Sequence, residues 1–258
     1  MAIVNVTPDS FFDGGAHGDP RAAIAHGERA LADGAAIVDV GGESTRPGAA
    51  AVDDAEEMAR VVPVVRALAS RGALVSVDTS KPAVMRAAID AGAAMVNDVR
   101  ALRSPDALPL VARAGVAVCL MHMQGEPRTM QEAPHYDDVV RDVHGFLAQR
   151  AAACAAAGIA RERIVLDPGF GFGKTLEHNL ALLRALPALR TLGYPVLAGL
   201  SRKGSLGRIT GRPADERLAA SLAAALAAVA RGAAIVRVHD VRETVDALRV
   251  WSAIGNPV

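Results

Sequence analysis

Arginine, histidine and aspartate stand near the ends of apolar runs in this sequence. The run "AIVRVHD" at 234–240 contains Arg237 and His239, and "IVLDPG" at 164–169 contains Asp167. Side chains two positions apart lie on the same face of a strand, so Arg237 and His239 can reach one ligand. Their donor groups suit an anion such as phosphate, whereas a carboxylate such as Asp167 suits a flat heterocycle with N–H donors.

The pattern of an apolar run with a polar ending recurs along the whole chain. The residues at these ends are Asn5, Asp39, Asp78, Asn97, Asp98, Met121, His122, Asp167, Ser201, Lys203, Arg237 and His239. Any one of them is as easily explained by solvation or by a pair with a neighbour. Amides, carboxylates and cations on at least six of eight runs favour a functional site.

Eight apolar runs alternate with helical segments. The runs cover 2–6, 36–42, 74–79, 95–99, 117–123, 164–169, 195–201 and 234–240. Segments with helical periodicity cover 20–33, 53–70, 81–91, 105–114, 137–157, 178–190, 215–231 and 241–253. Strands that are apolar on both faces and alternate with helices form a parallel sheet covered by helices. Eight such units predict an α/β fold, a (β/α)8 TIM barrel in which 1–258 form a single domain.

A doubly wound open sheet is the alternative architecture, and it needs fewer strands and a switch point. The phrase "GAA-apolar-V-polar", which recurs at 33–40 and 91–99, favours the barrel because barrel units are quasi-equivalent. Functional residues of such barrels lie at the C-terminal ends of the strands. The polar endings are therefore predicted to meet at one rim, with acceptors on one side and cationic and amide donors on the other.

The composition is that of a globular protein without a strong electrostatic field. The chain is 51% hydrophobic and 3% aromatic, and 28 basic residues balance 28 acidic ones. This balance argues against nucleic acid and membrane as partners. The first ten residues carry no charged n-region, so we expect no signal peptide, and the apolar stretch 218–230 is too short to span a bilayer. Cys119 and Cys154 indicate buried, reduced thiols, and we expect a cytoplasmic protein.

Four local patterns invite other interpretations. The string "PGFGFGKT" is not a nucleotide P-loop, because that motif requires glycine where this chain has Pro168. Lys174 in this string is expected to face solvent or loop carbonyls. Lys203 could form a Schiff base, but its neighbours Ser201 and Arg202 favour anion and ring contacts. His122 is expected to be a packed histidine, and the acidic run at 53–57 a solvated first helical turn.

Several uncommon strings occur in order along the chain. They are "NVTPDSFFDGG" (5–15), "GGESTRPG" (41–48), "SVDT" (76–79), "VND" (96–98), "LMHMQGEPRTMQ" (120–131), "LDPGFGFGKT" (166–175), "SRKG" (201–204) and "VRVHDV" (236–241). Through them the chain closely resembles the dihydropteroate synthase family, from its first residue to about Trp251. The resemblance implies a transferase of folate biosynthesis and a sulfonamide target. Such an enzyme condenses 6-hydroxymethyl-7,8-dihydropterin pyrophosphate with p-aminobenzoate, giving 7,8-dihydropteroate and pyrophosphate.

The resemblance also implies roles for individual residues. Pterin recognition falls to Asp78, Asn97, Asp167 and Lys203, with Met121 lining the pocket. Pyrophosphate is bound by Asn5, Arg237 and His239, with Mg²⁺ near Asn5. The residues around p-aminobenzoate are Thr45, Arg46, Pro47, Phe172 and Ser201, together with Phe11 from the first loop. We expect Lys203, Arg237 and Asp78 to be the catalytic residues of a dissociative substitution at the pterin methylene, without a covalent enzyme intermediate.

Two other functions remain open at this point. A pterin-binding domain that transfers a methyl group from methyltetrahydrofolate would share the pterin residues but would not need those for an aromatic acid. A catalytically silent pterin-binding paralogue would not need Asn5, Arg237 and His239. The alanine-rich segment 215–231 is more apolar than an outer barrel helix of a monomer should be, so we expect a homodimer that uses it.

Overall fold

The strands of the protein form a closed parallel barrel. The structure, a computed structural model, describes residues 1–7, 20–44, 51–126 and 129–255. Its strands are β1 (Ala2–Asn5), β2 (Val38–Gly41), β3 (Val75–Asp78), β4 (Met95–Asp98), β5 (Ala117–Met121), β6 (Ile164–Asp167), β7 (Leu197–Ala198) and β8 (Ile235–Val236). The first six form one sheet in sequence order, and β7 pairs with β8.

Two isolated parallel bridges join these sheets into a ring. Leu166 in β6 pairs with Val196 just before β7, and Ala2 in β1 pairs with Val238 just after β8. The backbone N–H of Ile3 donates to the carbonyl of Val238 at 3.0 Å. The ring confirms the predicted (β/α)8 barrel and excludes the doubly wound sheet, which would leave two open edges.

Helices follow the strands and cover the outside of the barrel. They are α1 (Pro20–Ala32), α2 (Asp54–Ala69), α3 (Pro82–Asp90), α4 (Ala107–Ala114), α5 (Val139–Ala156), α6 (Leu176–Arg184), α7 (Leu186–Arg190), α8 (Gly204–Thr210), α9 (Leu218–Ala230) and α10 (Val241–Ala253). Their ends carry the expected signals. Asp53 accepts the N–H of Glu56 at the start of α2, and Gly115 ends α4 in a left-handed conformation with φ +65°. Among the described residues, no helix is both long and apolar enough to cross a bilayer.

Side-chain alternation along the strands directs the site residues inward. Met95, Cys119 and Val165 belong to a small apolar cluster that is separate from the large core between strands and helices. Two positions beyond Met95 and Val165, and therefore on the same face, stand Asn97 and Asp167. The alternation that fills the barrel interior thus also brings polar side chains to its C-terminal end.

Some elements differ from the predicted ones. The helix predicted at 178–190 is divided into α6 and α7, because Pro187 in the first turn of α7 has no N–H with which to continue a helix. The segment predicted at 215–231 begins with a 3₁₀ turn at Ala214–Glu216, and α9 starts only at Leu218. Strands β7 and β8 are each two residues long, although single bonds such as Arg237 N–H to Ala198 O, at 3.1 Å, continue the pairing.

The acidic run at the start of α2 is only partly solvated. Asp54 and Glu56 are exposed, but Glu57 is fully buried, and its Oε2 lies 2.7 Å from Nζ of Lys81. The same ammonium lies 3.1 Å from Glu43 Oε2 and donates to the carbonyl of Val52. The prediction of a wholly solvated turn is therefore wrong, because a lysine from the loop after β3 pairs with its last carboxylate.

Candidate active site

A cleft of about 900 Å³ opens at the C-terminal ends of the strands. Every predicted site residue that the structure describes lines it: Asn5, Asp78, Asn97, Met121, Asp167, Phe172, Ser201, Lys203, Arg237 and His239. The predicted residues Phe11, Thr45, Arg46 and Pro47 lie outside the described residues. A cleft of this size accommodates a small molecule.

Arg237 is the centre of a charged network within this cleft. Its Nε donates to Oδ2 of Asp39 at 2.6 Å, and its Nη2 donates to Oδ2 of Asp78 at 2.8 Å. Nδ2 of Asn97 donates to the same oxygen of Asp39 at 3.0 Å. Asp39 is fully buried beneath the cleft floor and holds both donors in place. The sequence placed Asp39 at a polar strand ending but gave it no role.

Burial and charge act against each other on this network. Burial raises the pKa of Asp78 to about 7, although Arg237 favours its charged form. Burial also opposes the charge of Arg237, but the carboxylates of Asp39 and Asp78 together raise its pKa. The guanidinium is therefore permanently charged, whereas Asp78 can hold or release a proton near neutral pH.

Asp167 provides a carboxylate acceptor at the end of β6. Its Oδ1 accepts the backbone N–H of Gly169 at 2.7 Å. Burial raises the pKa of Asp167, and the Gly169 N–H and the cations of Lys203, Lys174 and Arg237 counteract this effect. These groups support an ionised acceptor in a largely dry environment.

Lys203 and Phe172 form a stacked pair at the cleft wall. Nζ of Lys203 lies 4.2 Å from the ring centroid of Phe172, within cation–π distance. Burial lowers the pKa of Lys203 to about 8, and Arg237 contributes to the same effect. Phe172 also packs against an apolar cluster that includes Met121. The pair presents a flat apolar surface next to a cation.

His239 and Ser201 are coupled at the ends of β8 and β7. Oγ of Ser201 accepts the backbone N–H of His239 at 3.2 Å and lies 3.0 Å from its Nδ1. Burial lowers the pKa of His239 to about 4, and Arg202 and Arg237 contribute. The imidazole is therefore neutral at pH 7. With the serine hydroxyl donating to Nδ1, Nε2 carries the hydrogen and serves as a donor.

The loop that carries Lys203 is held in a strained conformation. Arg202 has φ +58°, a left-handed value that costs energy in a residue other than glycine. Its guanidinium donates through two nitrogens to Asp240, and its backbone N–H donates to Ser221 at 2.9 Å. In addition, Nη1 of Arg217 donates to the carbonyl oxygen of Arg202 at 3.1 Å. These contacts fix where the next residue, Lys203, enters the cleft.

The donor set at Asn5 fits a magnesium ion that binds together with a phosphate ligand. Asn5 ends β1 and brings an amide oxygen to the cleft, close to Asp78 across Gly41. Within the described residues, no group of three His, Cys, Asp or Glu side chains is arranged to hold a metal. Mg²⁺ typically takes one or two protein oxygens and fills its remaining positions with phosphate oxygens and water.

Two expectations about other residues are resolved. Lys174 is 3% exposed and donates to loop carbonyls, so the loop-carbonyl interpretation is confirmed and the solvent-facing one is wrong. His122 is buried, and its ring packs edge-on against Phe146 at 5.0 Å, as predicted for a packed histidine. Asn179, which the sequence did not single out, lines the cleft and accepts the N–H of Gly171 at 2.7 Å.

Comparisons with known proteins agree with this geometry. Residues 1–239 match the family described as pterin binding enzyme. The dihydropteroate synthase of Escherichia coli (strain K12) is 52% identical over 254 residues, which cover 98% of this chain and 90% of that protein.

Solved structures agree as well. The Yersinia pestis dihydropteroate synthase with a sulfonamide drug has a TM-score of 0.94 and 50% identity, covering 98% of this chain and 93% of that one. The Xanthomonas albilineans dihydropteroate synthase in complex with 7,8-dihydropteroate has a TM-score of 0.90 and 53% identity. The match covers 100% of this chain and 94% of that one.

A closed barrel whose rim combines acidic acceptors with an arginine-centred donor network, and whose sequence matches the pterin-binding family over most of its length, defines a pterin-binding barrel enzyme. Dihydropteroate synthases that are about 50% identical to this sequence over nearly the whole chain narrow the class further. The chain belongs to the dihydropteroate synthase family.

Proposed function

We propose that this protein joins 6-hydroxymethyl-7,8-dihydropterin pyrophosphate to p-aminobenzoate, forming 7,8-dihydropteroate and releasing pyrophosphate. The observation that supports it most directly is that one cleft combines a buried carboxylate acceptor with a cationic donor. Asp167, the acceptor, and Arg237, the donor, both line the same 900 Å³ space, and the parts of the cleft around them are called here the acceptor wall and the donor wall. A methyltransferase or a silent pterin binder would not need the donor wall.

The acceptor wall recognises the pterin. The carboxylate of Asp167 accepts two parallel N–H bonds from the aminopyrimidine ring, a geometry that carboxylates favour. Asn97, held by Asp39, and Lys203 supply further polar contacts, and Met121 packs against the ring face. A ligand without those N–H groups would leave a buried carboxylate without partners, which is unfavourable.

The donor wall stabilises the leaving group. Cleavage of the carbon–oxygen bond places negative charge on the departing pyrophosphate, and Arg237 and the Nε2–H of His239 lie where they can meet it. Because that charge develops during the reaction, these donors bind the transition state more strongly than the substrate. Asn5 would hold Mg²⁺, which when bound neutralises part of the pyrophosphate charge.

The arylamine binds beside the Lys203–Phe172 pair. The aromatic ring of p-aminobenzoate lies against Phe172, and Ser201 lines the same part of the cleft. The family resemblance assigns Thr45, Arg46, Pro47 and Phe11 to the same ligand, and these four lie outside the described residues. The amine is neutral at pH 7 and mainly needs positioning, which contributes about 7–11 kcal/mol to catalysis in well-oriented systems.

The reaction is a dissociative substitution. Positive charge on the pterin methylene is stabilised by the carboxylate of Asp78, the amine attacks the same carbon, and no side chain forms a covalent bond to it. Lys203 stays free of substrate carbonyls, so borohydride treatment with candidate carbonyl substrates leaves the protein unlabelled.

Pyrophosphate release tests the proposal. It should require both substrates, and release with only one, or none with both, would overturn the function. Calorimetry with the pterin pyrophosphate then compares wild type with Asp167→Asn, which removes the charged acceptor at nearly constant shape. We expect a loss of affinity of about tenfold to a hundredfold. An unchanged affinity would remove Asp167 from the pterin site.

The assembly and the compartment are part of the proposal. The protein forms a homodimer through α9 and the neighbouring α10, where Leu218, Val250 and Ile254 expose 37%, 61% and 70% of their surface. Light scattering should give twice the chain mass at micromolar concentration, and Val250→Asp should shift the measured mass toward that of the monomer.

The cytoplasm is the expected compartment, in agreement with the buried free thiols of Cys119 and Cys154.

A further inference from the structure

Lysine is rare in this chain and concentrated near the active site. Of 28 basic residues, only Lys81, Lys174 and Lys203 are lysines. Lys203 lines the cleft wall and Lys81 pairs with glutamates. Lys174 is 3% exposed, has no assigned role, and follows the glycine-rich string after β6. Lysine is seldom buried to this degree unless its charge has partners.

The ammonium of Lys174 is surrounded by acceptors. Nζ lies 2.9 Å from the carbonyl oxygen of Phe172, 3.0 Å from that of Gly169 and 3.2 Å from that of His122. It also lies 3.0 Å from Nδ1 of His122. An ammonium has three hydrogens to donate, whereas a neutral amine has two and would turn its lone pair toward an acceptor. The three carbonyl oxygens around Nζ therefore favour the charged form.

These acceptors lie in the segments that follow two neighbouring strands. His122 follows β5, whereas Gly169 and Phe172 lie in the loop after β6. The two segments approach each other so closely that a Cβ placed on Gly169 would lie 1.9 Å from the His122 carbonyl oxygen. Gly169 also has φ +69°, which favours glycine. Lys174 thus ties this loop to the end of the neighbouring strand.

Both ends of the tied loop reach the active site. The N–H of Gly169 donates to Oδ1 of Asp167 at 2.7 Å, while the carbonyl of the same glycine accepts from Lys174. At the other end, Phe172 accepts from Lys174 through its carbonyl and carries the ring that faces Lys203. One buried cation therefore sets the orientation of two groups that meet the substrates.

We propose that Lys174 is a positioning residue of the active site, acting through Gly169 on Asp167 and through Phe172 on the arylamine pocket. Its charge also helps keep the Asp167 carboxylate ionised. The groups that face Asp167 are Lys174, Lys203, Arg237 and the Gly169 N–H, and those that face Lys174 are His122, Asp167 and Lys203. This inference rests on the proposed function.

Burial and the neighbouring charges set the pH range in which this role operates. Burial lowers the pKa of Lys174 to about 7, and Asp167 opposes that effect. Burial, together with Lys174, lowers the pKa of His122 to about 3, so that its ring is a neutral acceptor. The ammonium form of Lys174, and with it the tie, is therefore favoured below neutral pH.

Lys174→Met tests the inference, since methionine keeps the length of the side chain and removes the charge. Affinity for 6-hydroxymethylpterin is measured by calorimetry at pH 6, 7 and 8, alongside the melting temperature. We expect an affinity loss of about tenfold or more at pH 6. The loss should shrink toward pH 8, because Asp167 is protonated more easily without Lys174 and wild-type Lys174 itself loses its proton.

Lys81→Met is the matched control. It makes the same substitution at Lys81, a partly buried lysine that pairs with glutamates rather than facing Asp167. We expect it to lower the melting temperature without changing the pH dependence of pterin affinity. An equal pterin affinity and pH dependence in Lys174→Met and wild type would overturn the inference. If wild type itself binds no pterin, the proposed function fails instead.

A chemical rescue separates charge from shape. Lys174→Ala leaves room for a small cation, so ethylammonium should restore pterin affinity at least severalfold, while ethanol at the same concentration should not. Equal rescue by both, or by neither, would count against a role of the charge.

If the variants do not fold, wild type labelled with ¹³C at lysine Cε offers a further measurement, since only three signals arise. The lysine signal with the lowest pKa is expected to be that of Lys174, and it must show an ammonium at pH 6. A neutral amine there would overturn the inference.

Discussion

Arg237 and Asp39 form an ion pair in which Nε lies 2.6 Å from Oδ2, although 198 positions separate them in the sequence. Asp39 faces the barrel interior from β2, and Arg237 follows β8. The carboxylate is fully buried and does not line the cleft. Its effect on the substrate therefore passes through the groups that it orients, the guanidinium of Arg237 and the amide of Asn97.

Asp39→Asn should impair catalysis by loosening Arg237. The variant keeps the shape of the side chain but loses a charge-assisted bond worth about 1.5–3 kcal/mol, so we expect kcat/KM to fall by about tenfold to a hundredfold. Ser76→Ala is the matched control, because Ser76 is the buried register partner of Asp39 on β3 and does not bond to Arg237. Steady-state kinetics of both variants provide the measurement. A similar loss in the two would mean that Asp39 acts only on packing.

Asp78→Asn should change how stability depends on pH. Burial raises the pKa of Asp78 from 3.8 to about 7, so between these values the folded state holds a proton that the unfolded state has released. This group therefore makes the free energy of unfolding fall as pH rises from about 4 to about 7. Asparagine removes that slope. The melting temperature of the variant relative to wild type should be higher at pH 8 than at pH 5, and an equal difference at both values would contradict the assignment.

Phe172→Leu should weaken arylamine binding selectively. Leucine keeps the apolar character but removes the ring that faces Lys203 at 4.2 Å. Loss of a cation–π contact and of ring stacking predicts a rise of about threefold to thirtyfold in KM for p-aminobenzoate. The affinity for 6-hydroxymethylpterin serves as the internal control and should change little. If both ligands weaken alike, the ring acts on the whole cleft rather than on the arylamine pocket.

Lys81→Met should destabilise the fold, because it leaves Glu57 buried without its cation. Removal of one partner from a buried ion pair costs about 3–5 kcal/mol. Since Lys81 is partly exposed, we expect a value near the lower limit, measured by urea unfolding. The double variant Lys81→Met/Glu57→Gln replaces the stranded carboxylate with a neutral amide and should recover part of the loss. No recovery in the double variant would show that Lys81 stabilises through its other contacts.

The sequence was sufficient for the architecture and for most of the cleft. Eight apolar runs separated by helical segments predicted the barrel, and the two-residue spacing of Arg237 and His239 correctly placed both at one cleft. These are local patterns, since the period of a strand fixes the face on which each side chain lies. The break between α6 and α7 is also readable from Pro187, although the helical periodicity around it masked the signal.

Pairings between distant segments could not be predicted in the same way. Glu57 looks like one acidic residue among several until Lys81, 24 positions later, is seen to pair with it. Lys174 looks like a surface lysine until the carbonyl oxygen of His122, 52 positions earlier, is seen to accept from it. In both cases the partner comes from the neighbouring strand–helix unit of the barrel, far away in the sequence.

The seam between β8 and β1 has a consequence for the order in which the protein is made. The ring closes through Ala2 and Val238, so the edge of β1 that does not face β2 stays unpaired until nearly the whole chain has left the ribosome. Until then Asp39 and Asp78 exist without the guanidinium that neutralises them, and repulsion between them disfavours the early sheet. Docking of the last strand relieves that repulsion and brings Arg237 and His239 to the cleft in the same event. Enzyme activity therefore reports completed synthesis, and a chain stopped before Arg237 would be inactive.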